Sequence, residues 1–361
     1  MAARVPLILN QTTARIEELA AADSIAGSMI EGVTGKNLLI NGDMGIFQRG
    51  TLANRPDGEG YTIDRWSFAS LGTGTSNWGV GTFTVSDSSP ILPVPSPPRY
   101  WLGLNVAAGT NTAWLRQKIE KVAVYANGKA TLSFWMRSGV AGKKVGVRII
   151  QDFGGGAGAS AAVFVEGPVF PLTTSFQKYT ATFDVPSLAG KTLGSSPSGN
   201  DCLQVLFDFT SPSGYDGQLA GQTGLFEVTL VQFERGAVAT EFERRPDALE
   251  LTLCQRYYQK SYSATTAPGS NTNEGRYTYG NGANTNQINR YVVPFRVPMR
   301  KAPSIVSYGA PSGTAGVVSQ ADGSNIPAVI EAIGESAFNI GWNNNSGQWG
   351  GWFQWVADAE I

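Results

Sequence analysis

Between Asn37 and Arg245 the chain is written in short runs of alternating side chains, and that pattern constrains the fold more than any other feature. "ATLSFWMRS" alternates Leu132, Phe134 and Met136 against Thr131, Ser133 and Trp135. "KKVGVRII" sets Val145, Val147 and Ile149 on one side, and "SFQKYTATFDV" does the same with Tyr179, Ala181 and Phe183. A period of two is the signature of strands with two different faces. Adding "NLLINGDM", "DCLQVLFDF" and "GLFEVTLVQFE", each bounded by Gly, Pro, Ser or Asn-Gly-Asp turns, predicts a β-sandwich or jelly roll over 37–245.

Composition agrees: 15% of residues are charged and 11% aromatic, against about a quarter charged in an average globular chain. The formal net charge is -1 and basic runs are short, which excludes a basic nucleic-acid-binding face. No apolar run reaches the ~20 residues of a membrane helix. The start, MAARVPLILNQTT, lacks the charged and apolar regions of a secretory signal. Histidine is absent, so Ser-His-Asp and Cys-His catalysis and histidine-ligated metals are excluded. Cys202 and Cys254 form neither a disulfide framework nor a zinc spacing, which points to folding in a cytoplasm.

Two further regions flank the sandwich. Residues 1–10 read as a short strand, followed by a helical stretch in which Ile16, Leu19, Asp23, Ala26, Ile30 and Val33 recur at spacings of three and four. That seam predicts a short multimeric stalk, with a lone amphipathic helix or a partly ordered arm as alternatives. "RRPDALELTLCQRYYQKSY" predicts a helix, with Leu249, Leu253 and Tyr257 as its apolar stripe. Short strands resume from Tyr291. The expected organisation is thus an arm at 1–36, the sandwich at 37–245, and a helix with a small β domain at 246–361.

Several phrases form a set: "RVPLILNQTT", "NLLINGDMGIFQRGT", "YTIDRWSF", "WLRQKIE", "LSFWMRS", "QDFGGGAGAS", "LVQFERGAVATEFERRP", "ELTLCQRYYQKS", "VPFRVPMRKAPSI" and a terminal "ADAEI". Together, spread over nearly the whole chain, they resemble tail fibre and other receptor-binding proteins of tailed bacteriophages and prophages. Met44 departs from the aromatic that many such proteins carry after Asn-Gly-Asp. The resemblance implies a homotrimer in the virion tail, docked on tail or baseplate proteins through its N-terminus. Distal domains would contact a host surface polysaccharide, lipopolysaccharide or outer-membrane protein, without membrane insertion. The central sandwich would resemble the jelly roll of carbohydrate-binding modules.

Such modules often hold a structural calcium; Asn41, Asp43 and Glu227 are the oxygen donors that would do so here, against an ordinary hydrogen-bonded turn. Otherwise no cofactor is expected. Sugar binding calls for aromatic rings among a few polar groups. The sandwich offers Trp78, Tyr100, Trp101 and Trp114, with Trp78 in the loop-like "GTGTSNWGVGT" the exposed ring. Trp66 and Trp135 lie in strand-like stretches and are expected in the core. Four of the nine tryptophans crowd the end, in "GWNNNSGQWGGWFQWVADAEI". Its last strand is apolar on both faces, so Phe353 and Trp355 are expected in core or trimer interface, with Ile16, Leu19, Ile30 and Val33 as the N-terminal interface. Trp342 and Trp349, flanking a polar loop, are candidates for receptor contact, with Tyr277 and Tyr279 nearby. QDFGGGAGAS lacks the Gly-Lys-Ser/Thr ending of a phosphate loop. No acid pair stands out and no β-helix repeat is visible, so an enzyme is not expected. The alternatives are a purely structural tail component and a polysaccharide-cleaving tailspike.

Overall fold

The computed structural model describes residues 7–10, 15–18, 35–84, 92, 94, 97–195, 199–280, 288–343 and 350–361. At the N-terminus, β1 (Leu7–Asn10) pairs antiparallel with β2 (Arg15–Glu18). The strand at 7–10 is thus found, but Arg15–Glu18 is extended, where the heptad pattern predicted helix. Pairing with β1 satisfies the backbone groups that a helix would have satisfied internally, and Ile16 lies in this hairpin opposite Leu9. Leu19, Ile30 and Val33 lie outside the described residues.

Twelve strands build the sandwich: β3 (Leu52–Arg55), β4 (Gly58–Tyr61), β5 (Ser67–Gly72), β6 (Ser76–Thr82), β7 (Tyr100–Val106), β8 (Thr110–Glu120), β9 (Gly128–Ser138), β10 (Lys144–Asp152), β11 (Val163–Pro171), β12 (Gln177–Val185), β13 (Cys202–Thr210) and β14 (Gly224–Arg235). They form two six-stranded antiparallel sheets, ordered β11-β10-β13-β8-β5-β4 and β12-β9-β14-β7-β6-β3. The chain is mainly β and its centre is a jelly-roll β-sandwich. The alternating residues of both sheets meet in one core containing Trp66, Phe68, Leu104, Phe134, Val147, Phe183, Phe207 and Phe233. Trp66 is fully buried and Trp135 is 8% exposed, as the strand pattern predicts.

The outer faces of the two sheets differ. Over β9 and β14 a satellite cluster of Leu92, Trp135, Phe176 and Leu230, with Phe83, Val94 and Trp101 against it, covers the second sheet. Among the described residues no such cluster lies over β8, β13 and β10, where exposed Phe164 and half-buried Trp114, Arg116 and Arg148 border a shallow depression.

After the sandwich come α1 (Asp247–Gln255) and β15 (Tyr258–Lys260). Asp247 and Glu250 complement the helix dipole in the first turn. The buried face of α1 is Glu250, Cys254 and Gln255, whereas Leu249 is 43% exposed, so the predicted Leu249 stripe is not the packed one. The helix also ends sooner than its pattern suggests, because Tyr258–Lys260 pairs with the last strand.

The small body continues with β16 (Tyr277–Gly280), β17 (Ile288–Pro294), β18 (Ser304–Gly309), β19 (Val317–Gln320), β20 (Asn325–Pro327), β21 (Val329–Glu331), β22 (Ala337–Asn343) and β23 (Gly350–Asp358). Strand β23 is its axis, pairing with β15, β16, β18 and β19. A second sheet, β17-β22-β21, closes over it. Their shared core holds Val293, Phe338, Ile340, Trp342, Phe353 and Trp355. Close packing explains Gly351: a Cβ there would stand 2.3 Å from the Trp342 ring and 2.7 Å from Val318. Gly351→Ala is expected to destabilise this body by about 1–3 kcal/mol through overpacking, read as a lower denaturation midpoint.

Polar side chains tie the small body to the sandwich. Arg256 donates to both carboxylate oxygens of Glu120 (2.9 and 3.0 Å). Gln48 donates to Asp64 (2.6 Å) and to the Tyr258 carbonyl (3.1 Å). The Lys260 ammonium is 1% exposed and reaches the carbonyls of Gln48, Ala264 and Thr266 (2.5, 2.9 and 2.6 Å). Burial pulls it down to about 8, while the Asp64 carboxylate works in the opposite direction.

Candidate functional site

Alternation dictates what the open sheet displays. Val145, Val147 and Ile149 of β10 and Leu203, Val205 and Phe207 of β13 point into the core, so their neighbours Arg148, Ile150 and Asp152, and Gln204, Leu206 and Asp208, face outward. On β8 the outward residues are Trp114 and Arg116, and on β11 Phe164. Register then brings together residues far apart in sequence. Leu206 lies between Arg116 and Arg148, Ile150 lies between Gln204 and Phe164, and Asp208 lies opposite Trp114. These side chains, with Asp152 and Ala162, line a cavity of about 270 Å³.

The polar groups of this groove hold one another. Arg116 donates to Glu59 (2.7 Å) and to the Gln204 carbonyl oxygen (2.9 Å), and Gln204 donates in turn to Asp152 (2.9 Å). Arg148 donates to Asp208 (2.6 Å), whose other oxygen accepts from the Tyr215 hydroxyl (2.9 Å). Burial pushes the Asp208 carboxyl up against the pull of Arg148 and Tyr215. Burial also works against the Glu59 carboxylate, but its bonds to Arg116 prevail and hold it below the usual range. The Arg116 and Arg148 guanidinium groups each stand 6.0 Å from a ring centroid, of Trp114 and Phe164 respectively. Phe164 is 59% exposed and Trp114 is half-buried. The indole Nε1 of Trp114 and the Nε of Arg148 are both buried from solvent and find no acceptor within the protein. Two ring faces set among fixed planar polar groups can stack on the C–H face of a sugar and hydrogen-bond its substituents.

The other predicted residues lie elsewhere. Trp78 is 2% exposed: the loop-like stretch around it is strand β6, paired to Leu104, and its alternation turns Trp78 inward. Trp342 is fully buried, stacked on Tyr291 at 5.1 Å, so its ring is core and offers no face to a receptor. Trp349 lies outside the described residues. Tyr277 and Tyr279 are half-buried in an aromatic ladder, Tyr277 stacked on Phe353 (5.6 Å) and Tyr279 on Tyr291 (4.2 Å). Phe353 and Trp355 are buried within the single chain. The opposite face of their strand is covered without a partner subunit: Gln354 donates to the Thr272 and Glu274 carbonyls (2.9 and 2.8 Å), and Arg276 lies over the Trp352 ring at 4.8 Å.

The calcium candidates are engaged separately. The Asn41 side chain donates to the carbonyls of Ile46 (2.7 Å) and Asp64 (3.0 Å) and accepts from the Ile46 amide (2.9 Å). Asp43 pairs with Arg244 (3.1 Å) and Glu227 with Arg137. Each side chain already has a donor, so the three build a turn and two ion pairs. Among the described residues no group of three or more Cys, Asp or Glu stands together as a metal site.

A larger cavity, about 340 Å³, lies between the Asn37–Ile46 segment and Arg244–Glu250. Some of its charges bind backbone and others pair with one another: Glu243 accepts from the Asn37 amide (2.6 Å), Arg245 donates to the Leu39 carbonyl (3.0 Å), and Arg244 pairs with Asp43 (3.1 Å). It locks that segment in place.

Of the groove residues, Trp114 was legible as one of the rings the sandwich offers. Arg116, Arg148, Asp152, Phe164, Gln204 and Leu206 were not singled out, although the off-phase positions of "WLRQKIE" and "KKVGVRII" carried the signal.

No family model and no curated protein matches the sequence. Among solved structures, similarity is found to the enzymatically active domain of tailspike protein 4 of bacteriophage CBA120, with 16% identity, 56% of this chain and 22% of that chain covered, and a TM-score of 0.34. This chain therefore spans under a quarter of that neighbour's length. The CBM22-2 xylan-binding domain of Paenibacillus barcinonensis Xyn10C matches with 14% identity, 48% and 94% coverage and a TM-score of 0.32. The family 11 carbohydrate-binding module of Clostridium thermocellum matches with 13% identity, 53% and 99% coverage and a TM-score of 0.30. Likenesses this distant carry no argument about function, which rests on the groove's own residues.

Proposed function

We propose that the chain is a glycan-binding protein and that the groove over β8, β13, β10 and β11 is its glycan site. The observation that carries this reading is the pairing of Trp114 and Phe164 with the fixed Arg116–Gln204–Asp152 network on a sheet face that, among the described residues, no second cluster covers. The sequence phrases resembling phage tail fibres extend the proposal: a non-enzymatic, trimeric receptor-binding protein of the virion tail, attached through its N-terminal segment. The groove's carboxylates support a binding role over cleavage. Asp208 is fully buried between Arg148 and Tyr215, and Glu59 is tied to Arg116, so neither is placed as a free acid or base.

The test is a glycan panel titrated against the full chain with tryptophan fluorescence as readout, alongside adsorption of labelled protein to host cells. Phe164→Ala, at an exposed ring, is expected to weaken binding by about tenfold with an unchanged melting point. Binding that is indifferent to both Phe164→Ala and Trp114→Ala places the site outside the groove. A folded chain that binds no glycan and no cell surface supports a purely structural tail component, and clearing of a host lawn supports a cleaving tailspike.

A further inference from the structure

Resting on that reading of the groove, we propose that Tyr215 is an internal stand-in for a sugar ring, and that the sheet face beneath it is a covered extension of the glycan site. Beyond Arg148 the sheet continues to Gly146, which lies opposite Asp208, and there residues 214–221 lie over it as a plug. Tyr215 (5% exposed) and Leu219 (fully buried) rest on Gly146, where a Cβ would stand 2.5 Å from the phenol ring and 2.9 Å from Leu219. The Tyr215 hydroxyl donates to Asp208 (2.9 Å), whose other oxygen holds Arg148 (2.6 Å). A six-membered ring thus lies on a bare stretch of backbone with its hydroxyl on a charge-paired carboxylate. A pyranose with one hydroxyl group on that carboxylate has the same ring and the same donor.

The seated plug is strained. Tyr215 and Asp216 both have a φ of 54°, the left-handed region in which a side chain crowds its own backbone. The Arg148 guanidinium stands 6.0 Å from the ring centroids of both Tyr215 and Phe164, and its Nε is buried without an acceptor, a further cost of the covered state. The plug's backbone bonds are internal turns and travel with it: the amides of Gly217, Gln218 and Ala220 donate to Gly214, Tyr215 and Gly217 (3.0, 3.1 and 3.1 Å). Its two ends are anchored. The Ser211 hydroxyl accepts from the Gly214 amide (3.1 Å), and the Gln222 side chain bonds the Lys144 amide and carbonyl (2.7 and 3.0 Å). Breaking the Tyr215–Asp208 bond and the contacts on Gly146 lets the plug swing off between these anchors. A glycan hydroxyl then replaces the phenol on Asp208, and the strain at Tyr215 and Asp216 is released.

The test titrates maltohexaose, cellohexaose and laminarihexaose, with the glycan panel above, against the full chain and three variants, read by tryptophan fluorescence. Tyr215→Ala, which vacates the covered face, is expected to bind at least about fivefold tighter, because no fraction of the chain is held shut. Two variants move the plug in opposite directions without touching the sheet. Asp216→Gly, at an exposed residue, relieves the left-handed strain and is expected to weaken binding about threefold. Gly217→Ala, at a φ of 74° with open space around it, adds strain and is expected to tighten binding about threefold. Hydrogen exchange over residues 214–221 of the unliganded chain is expected to slow in the first and quicken in the second, and to quicken in the unmodified chain when glycan binds. A folded Tyr215→Ala that binds no tighter overturns the stand-in, as does glycan binding that leaves exchange of the plug unchanged; in both cases the groove reading stands. If no glycan changes the fluorescence of any of the four proteins, the groove reading falls and the stand-in with it.

Discussion

Glu360→Ala is expected to destabilise the chain by about 3–5 kcal/mol, the range for removing one partner of a buried ion pair. Glu360 is 8% exposed and Arg65 1% exposed, and the two are hydrogen-bonded across the junction between sandwich and small body. Arg49 adds a second bond to the same carboxylate at 3.1 Å. Each guanidinium lies over a tyrosine ring, Arg65 at 3.4 Å from the Tyr257 centroid and Arg49 at 3.7 Å from that of Tyr258. Without the carboxylate, Arg65 remains buried against a ring with no acidic partner, while Arg49 keeps its pair with Asp358 at 3.3 Å. Urea unfolding followed by tryptophan fluorescence measures the effect, and the small body is expected to part from the sandwich first. Arg290→Ala is the control: its pair with Glu331 is exposed, 51% and 38% for the two side chains, and is screened by water and salt. A Glu360→Ala effect no larger than this control would show that the network does not lock the junction.

Trp342→Ala is expected to cost about 3–5 kcal/mol, as for other large-to-small changes at buried aromatic sites. The ring is fully buried, stacks on Tyr291 and packs against Phe353, and fills the space above Gly351. The expected result is a lower melting point for the small body, with glycan binding by the sandwich retained. An unchanged melting point together with lost adsorption to host cells would instead return Trp342 to the binding surface.

Trp342 shows where the sequence was informative. Alternation in "AFNIGWN" states that Phe338, Ile340 and Trp342 share a face, and the structure has them so. The polar loop beside Trp342 suggested exposure, because the sheet that covers it is assembled from residues distant in the chain. Trp78 misled in the same way: the glycines around it resemble a loop, yet Gly81 is there because the Trp101 ring lies 2.1 Å from where its Cβ would be.

By itself the sequence determined the class of fold. The period of two, the sparse charge and the turn residues left a mainly β chain with a sandwich at its centre as the consistent reading, and placed Trp66 in its interior. The absence of histidine removed whole families of catalytic chemistry before any contact was known. Only the tertiary structure decided which of two equivalent strand faces is open. The outer face of β9 and β14 is closed by Leu92 and its neighbours, while among the described residues no such cluster closes that of β8, β13 and β10. Alternation divides a strand into two faces but carries no information on what covers each, since the cover comes from remote segments through packing. The groove follows from the same limit: its residues run from Trp114 to Leu206 on four strands and become neighbours only through hydrogen-bonded register.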